Sequence, residues 1–371
     1  PRTENPFKIR NDIKRGIKKT TIKELPSRKK AIHEAIMKLE TGDFLLVAGK
    51  GHEKIQDYGK RKLFFSDKAE IFKSIKSKNK SLSKDLKLNI IKEQANSNIS
   101  NKLIIKNISI NSKTIKKNDI FFAIKGKKND GNKFVPEALK KKSSLAIVNK
   151  INKNYSLFKQ IKVKDTLSFI TKCSTIFREN INTKIISITG SCGKTTLKEM
   201  IGLTLKKLSR TSYSPKSFNN KYGVPLSVFN LKQNDEFGVF EVGMDKKGEI
   251  DILTRITKPN LGIITNISYA HSKNFKNINQ IAQAKAEIMN NIKKNGIIIL
   301  NMDDYFYNYH KNIALKKKLK IISFGIKNKY STVRLIKIKK IRKRCELFIN
   351  VNGKTVSFYT YNDNKSNLYN I

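Results

Sequence analysis

Residues 184–200 read KIISITGSCGKTTLKEM, and the order of residue types in this stretch decides the fold. An apolar, β-branched run passes into Gly-Ser-Cys-Gly-Lys-Thr-Thr, Gly190 to Thr196, and then into helix-favouring residues. Strand, glycine loop and helix in that order build a phosphate cradle, because backbone N–H groups and the positive end of the helix face an anion. The usual spacing G-x-x-x-x-G-K-[ST], counted back from Gly193, puts its first glycine at Ile188, inside the strand. Gly190 takes that place two residues later, so the loop is a shorter variant with the same physics. Its expected nucleotide contacts are Gly190, Ser191, Cys192, Gly193, Lys194, Thr195 and Thr196. Lys194 reaches the outer phosphates, and the Thr195 hydroxyl suits Mg²⁺.

Outward from this loop, strands (KIISIT, FGVFEV, LGIIT, GIIIL, KIISF) alternate with helices (TTLKEMIGLTLKKL, INQIAQAKAEIMNNIKK). Such alternation argues for a mostly parallel sheet covered on both faces. The expected fold class is therefore α/β and multidomain, with a P-loop-type central domain over 181–371. A smaller α/β unit is expected over 101–180, from DIFFAI, FVPEALKK and SLAIVN. Residues 1–76 read as a Rossmann-like α/β fragment. In it Ser27 caps the helix SRKKAIHEAIMKLE, and DFLLVAG forms a buried strand. Residues 77–100 are polar and irregular, a linker by composition. VNGKT near the end marks a hairpin turn.

The chain has 371 residues and a net charge of +49, from 78 basic and 29 acidic side chains. A nucleic-acid or anionic-membrane partner would explain such a charge. Lysine, however, is scattered through every segment and far outnumbers arginine, the better base reader, so a lysine-favouring genome explains it with less. No nucleic-acid partner is expected. No apolar run reaches membrane-spanning length, and the first residues carry no apolar export signal. Three widely spaced cysteines fit a reducing cytoplasm.

Further side chains belong near the loop. Glu241 ends an apolar strand, where a carboxylate holds a metal or its water. His271 follows the strand ending at Thr265-Asn266; a lone histidine there is a surface group or a ligand with equal claim. Asn301 ends a later strand with an amide suited to a base edge, just before Asp303 and Asp304. Asn219 and Asn220 form an amide pair in the loop SFNNKYGVP. Lys285, between alanines in IAQAKAEIM, reads from its residues alone as one more lysine on a solvated face.

Together ITGSCGKTT, FNNKYGVPLS, EVGMDKKGEI, PNLGIITNISYAH, IAQAKAEI and LNMDD, with SINSKTIKKNDIFFAIKGKKNDGNKFVPEAL upstream, resemble the Mur ligases, ATP-dependent amide ligases of cell-wall precursors. The likeness covers 101–371 and points to the member that adds D-alanyl-D-alanine to UDP-N-acetylmuramoyl-tripeptide. PRTENP, VAGKGHEKIQDYG and FSD in the first 76 residues resemble instead the last domain of the diaminopimelate-adding member. The chain thus resembles part of a fusion of two ligases, with the second ligase's closing domain beyond its end.

The resemblance implies a uridine-binding role for 101–180, with Ser112 and Asp130 as substrate contacts beside Asn219 and Asn220, and Arg2 and Glu53 as amino-acid contacts in the first fragment. It implies ATP and Mg²⁺, with Thr195, Glu241, His271 and Lys285 as metal ligands, Lys285 acting as a carbamate formed with CO₂. Lys194, Glu241, His271 and Lys285 would be the catalytic set. A cytoplasmic monomer is expected. Asn111-Ser112-Lys113 departs from the family's Asp-Ser-Arg, and Asn132 replaces a usual histidine. Two rival readings are a P-loop ATPase acting on nucleic acid and a piece that binds without turnover. A folate-polyglutamating relative would share the loop but not NDGNKF.

Overall fold

The computed structural model describes residues 6–17, 22–25, 27–39, 43–49, 53–57, 62–100, 103–126, 129–269, 274–342, 344–361 and 368–369. The chain divides into two compact units, Pro1–Ser83 and Lys84–Ile371.

The first unit carries α1 (Pro6–Gly16), α2 (Arg28–Lys38), the antiparallel pair β1 (Ile55–Asp57) and β2 (Lys62–Phe64), and the start of α3 (Asp67–Ala95). Ser27 caps α2 as expected, its hydroxyl accepting from the Lys30 amide at 3.5 Å. Arg28 grips Asp67 with two nitrogens, Nε at 2.8 Å and Nη2 at 2.6 Å. Two expectations fail here. DFLLVAG is not a buried strand, since residues 43–48 have no strand pairing and Phe44 is 99% and Leu46 88% exposed. No described segment offers that run a hydrogen-bonding edge, and apolar composition alone does not make a strand. The parallel pairing of a Rossmann-like unit is likewise not found among its described residues.

The third difference is the linker. Residues 77–95 continue α3, and its last turns bury Leu88, Ile90 and Ile91 in the core of the second unit. The helical spacing of these apolar residues was masked by the surrounding lysines. Even Lys87 is buried, over the Phe177 ring at 5.2 Å, and desolvation lowers its pKa to about 8.

The second unit holds two sheets. β3 (Ile108–Ser109), β4 (Ile120–Phe122), β5 (Leu145–Val148) and β6 (Gln160–Lys162) form a parallel four-stranded sheet with α4 (Val135–Lys140) and α5 (Thr166–Glu179). Then follow β7 (Lys184–Thr189), α6 (Lys194–Leu208), β8 (Thr211–Tyr213), α7 (Gly223–Phe229), β9 (Phe237–Glu241), α8 (Glu249–Thr257) and β10 (Leu261–Ile264). After these come α9 (Ile278–Ala286), β11 (Ile297–Asn301), α10 (Tyr307–Lys316), β12 (Lys320–Gly325), β13 (Val333–Ile341), β14 (Arg344–Val351) and β15 (Lys354–Thr360). Among the described residues the large sheet runs β8-β9-β7-β10-β11-β12-β13-β14-β15. It is parallel as far as β13 and antiparallel across the last two pairings. The β14–β15 turn at Asn352 (φ 50°) and Gly353 (φ 85°) is the hairpin expected from VNGKT.

One core joins the two sheets. Phe177 of α5 meets Phe229 of α7 edge-on at 5.6 Å, and the Asn230 amide bridges Ile108, accepting from its N–H at 2.8 Å and donating to its carbonyl at 2.9 Å. Beside them Arg178, 1% exposed, donates to the carbonyls of Thr257, Ile181 and Lys258 at 2.7–3.2 Å. Burial lowers its pKa to about 10. Three carbonyls lose their donor if it is removed, so Arg178→Met should destabilise the chain by about 2 kcal/mol. The check is a lower urea midpoint at unchanged slope; an unmoved midpoint would count against this role.

Candidate functional site

The site lies where the sheet order reverses. β7 is flanked by β9 and β10, and the chain continues away from it on both sides, which opens a crevice at the strands' carboxyl ends. Ile188 pairs with Glu241 on one side and Ile263 on the other, so the residues after all three strands meet at one edge. The glycine loop leaves β7 there and turns into α6.

Two glycines make that turn. Gly190 sits at φ 147°, and a Cβ on it would lie 1.9 Å from the Thr265 hydroxyl oxygen. Gly193 at φ 80° starts α6 in the left-handed region. Thr265 and Asn266 brace the loop from the next strand: the Thr265 hydroxyl donates to the Cys192 carbonyl at 2.6 Å, and the Asn266 side-chain oxygen accepts from the Cys192 amide at 3.0 Å. The Ser191 amide goes to the Asn266 carbonyl at 2.9 Å. The amides of Ser191 and Cys192, expected among the phosphate donors, are thus taken within the loop. Those of residues 193–196 have no partner among the described residues and form the anion-binding end of α6.

Around this cradle stand the charged groups. Thr195 donates its hydroxyl to Glu241 at 2.6 Å, and the Asn219 side chain donates to the other oxygen of the same carboxylate at 2.7 Å. Glu241 is 1% exposed, so both partners fix its direction. A hydroxyl and a carboxylate side by side are oxygen donors of the kind that a hard cation such as Mg²⁺ would take. Lys194 donates to the Ser191 carbonyl at 3.1 Å, and burial lowers its pKa.

Lys285 corrects the reading of its residues alone. It is 2% exposed, not solvated, and its amine donates to the Gly190 carbonyl at 2.9 Å. The flanking Ala284 and Ala286 are small enough for α9 to press against the loop. Desolvation, helped by the nearby Lys194 charge, lowers its pKa to about 7. Lys194, Lys285, Asn219, Asn220, Met244 and Ile252 are among the residues lining a cleft of about 400 Å³.

Other expected residues take quieter positions. Asn220 accepts from the amides of Tyr222 and Gly223 and starts α7, while its side chain lines the cleft. Asn301 donates to the Thr265 carbonyl at 3.2 Å and accepts from the Asp303 amide, bracing the neighbouring loop. Thr196 is exposed in the first turn of α6. In the smaller sheet, Ser112 donates to Glu137 at 2.6 Å, and Asp130 accepts from the Asn132 amide and side chain. Glu53 lies just before β1 in the first unit. His271 and Arg2 lie outside the described residues. Among the described residues no group of three His, Cys, Asp or Glu side chains gathers as a metal site. The bracing residues Thr265 and Asn266 carry no sequence signal for that role; only strand register brings them to the loop.

A parallel sheet with a glycine loop after its central strand, an acid ending the adjacent strand and a lysine opening the helix defines a nucleotide-binding α/β protein. Comparison with known families makes this specific: residues 188–371 match the Mur ligase middle domain and residues 104–175 the Mur ligase family catalytic domain. Over these residues the chain belongs to the Mur ligase family. It is 35% identical over 261 residues to the UDP-N-acetylmuramoyl-tripeptide--D-alanyl-D-alanine ligase of Rickettsia prowazekii, 70% of this chain and 57% of that relative. The enzyme of the same name in Bacillus subtilis is 33% identical over 54% of this chain and 44% of its own. MurF of Acinetobacter baumannii superposes with a TM-score of 0.66 at 27% identity, over 76% of this chain and 62% of that one. The chain spans about half the length of the curated relatives it matches.

The Thr195 hydroxyl and the Glu241 carboxylate give a direct prediction. Glu241→Gln keeps the shape but removes the charge, and should weaken Mn²⁺ binding in the presence of ADP at least about tenfold. Electron paramagnetic resonance counts the free ion; undiminished Mn²⁺ binding would remove Glu241 from the metal site.

Proposed function

We propose that residues 104–371 form the ATP- and UDP-substrate-binding portion of a ligase that joins D-alanyl-D-alanine to UDP-N-acetylmuramoyl-tripeptide. The observation that carries this reading is the Asn219–Glu241–Thr195 chain set beside Lys194 and Lys285 on one cleft, in a chain with the family's domain order. In the reaction a tripeptide carboxylate oxygen attacks the γ-phosphorus of ATP, ADP leaves, and the amine of D-alanyl-D-alanine then displaces phosphate from the acyl phosphate. Two anions must meet in the first step, so positive charge fixed in advance lowers the barrier most. Lys194 and the amides of 193–196 supply it. Thr195 and Glu241 would hold Mg²⁺, which neutralises phosphate charge when bound. His271 is proposed as a ligand on resemblance alone, as are Ser112 and Asp130 for the uridine part and Arg2 and Glu53 for an amino acid in the first unit. That unit is proposed as the end of a diaminopimelate-adding ligase.

Lys285 is proposed as the carbamylated residue. A buried amine with its pKa lowered to about 7 is neutral above that pH, and neutral amine is the form that attacks CO₂. The product is an anion, which Lys194 favours. The sign for folding follows from the same shift. The unfolded amine keeps its ordinary value of 10.5, so between the two values the unfolded state holds the extra proton and stability rises with pH. The cost of charging Lys285 is complete below pH 7. With ¹³C-bicarbonate, a carbamate resonance should grow as pH rises past about 7 and be missing in Lys285→Arg. Its absence from the native chain at pH 8 would overturn the assignment.

The proposed activity is tested by phosphate release from ATP that requires both the UDP-linked tripeptide and D-alanyl-D-alanine. Release stimulated by single-stranded DNA instead would favour a nucleic-acid ATPase. Saturable binding of ATP and the UDP-linked tripeptide with no release would make this chain a binding piece.

A further inference from the structure

The last three strands carry a charge pattern unlike the rest of the chain. Residues 334–344, RLIKIKKIRKR, are seven parts basic in eleven with no acid. Lysine is common everywhere in this sequence, so lysine alone argues nothing. Arginine is scarce: three of the chain's 11 arginines fall in these eleven residues. A composition bias toward lysine does not produce that cluster.

The fold brings it to one place. β13 and β14 pair from Ile341↔Arg344 inward, so Lys339, Lys340, Arg342 and Arg344 gather at the far end of the hairpin. β15 returns to the same end, where Thr360 pairs with Cys345 and Tyr361 follows. Tyr359 is 54% and Tyr361 85% exposed, and Lys337, Lys339, Arg342 and Arg344 are exposed with them. The Arg344 guanidinium lies over the Tyr359 ring at 4.3 Å. Glu346, opposite Lys339 and Tyr359, is the one acid within these three strands.

We propose that this hairpin tip docks the protein on an anionic membrane surface. Clustered Lys and Arg are drawn to acidic headgroups, and tyrosines beside them settle at the boundary between headgroup and hydrocarbon. A lipid surface accounts for the exposed side chains better than a nucleic acid does. One face of Tyr359 is already covered by Arg344, which removes it as a stacking platform for a base.

The test is sedimentation of the full chain with vesicles of phosphatidylcholine containing about one third phosphatidylglycerol, the fraction typical of a strongly anionic surface. Binding should be saturable, should fall as salt rises and should be lost on pure phosphatidylcholine. The variant Lys337→Gln, Lys339→Gln, Arg342→Gln, Arg344→Gln should bind about 100-fold more weakly, at roughly a several-fold loss per basic residue. A control removes the same charge from another exposed cluster: Lys316→Gln, Lys317→Gln, Lys318→Gln, Lys320→Gln. It should retain most of the binding. Equal loss in both variants would mean that net charge alone binds, and would overturn the proposal. So would absence of vesicle binding, or a preference for single-stranded RNA over vesicles at equal salt.

Discussion

Lys194→Met should lower the rate of ATP-derived phosphate release about 100- to 1000-fold, the range for removing one fixed charge from a developing phosphoryl transition state. The loss comes from position. Lys194 opens α6 beside the amides of residues 193–196, and its partly buried amine is directed across the mouth of the loop to the Ser191 carbonyl at 3.1 Å. Methionine keeps the length and apolar stem but cannot meet a phosphate oxygen. Folding should survive, because burial lowers the pKa of this lysine and its charge costs stability in the folded chain. A variant equally stable and nearly inactive is the expected pair of results. Full activity would show that the loop does not hold the reacting phosphate.

Gly190→Ala should be as damaging by a different route. At φ 147° a side chain is strained, and its Cβ would come within 1.9 Å of the Thr265 hydroxyl oxygen and 3.1 Å of the Thr265 amide. Thr265 cannot step aside without losing its bond to the Cys192 carbonyl. The loop must therefore shift by more than an ångström, carrying Lys194 and the amides with it. Nucleotide affinity should fall at least about 100-fold, the size expected when positioned donors move off their target. The melting temperature should also drop by several degrees, because strain and clash together amount to about 2–4 kcal/mol. Adding Thr265→Gly removes the clash but not the strained φ, and should recover part of the stability.

What could be read from the sequence was what local pattern determines. The order strand, glycine loop, helix placed Gly190 to Thr196, and apolar runs located β7, β9, β10, β11 and β12, since each is long enough to show its period. Glu241 could be read because it ends such a run. Lys285 could not be read from residues alone. Its burial depends on α9 pressing against a loop 95 residues earlier, and no neighbour in sequence reports that. Asn219 reads from its loop as a substrate contact, whereas its hydrogen bond orients Glu241. The later turns of α3 do not show in the sequence because lysines hide a helical period that only the core makes visible, and DFLLVAG looks like a strand because composition does not reveal that a strand needs a partner. Arg178, which ties α5 to the end of α8, gave no signal either; a single arginine in an amphipathic helix reads as surface.

Calorimetric titration of MgATP into the native chain, with Lys194→Met and Gly190→Ala in parallel, asks whether the glycine loop holds the nucleotide. The native protein should show one saturable site per chain, weakened about 100-fold in either variant. Native protein that gives no heat with MgATP, or variants that bind as the native chain does, would contradict nucleotide binding by the loop.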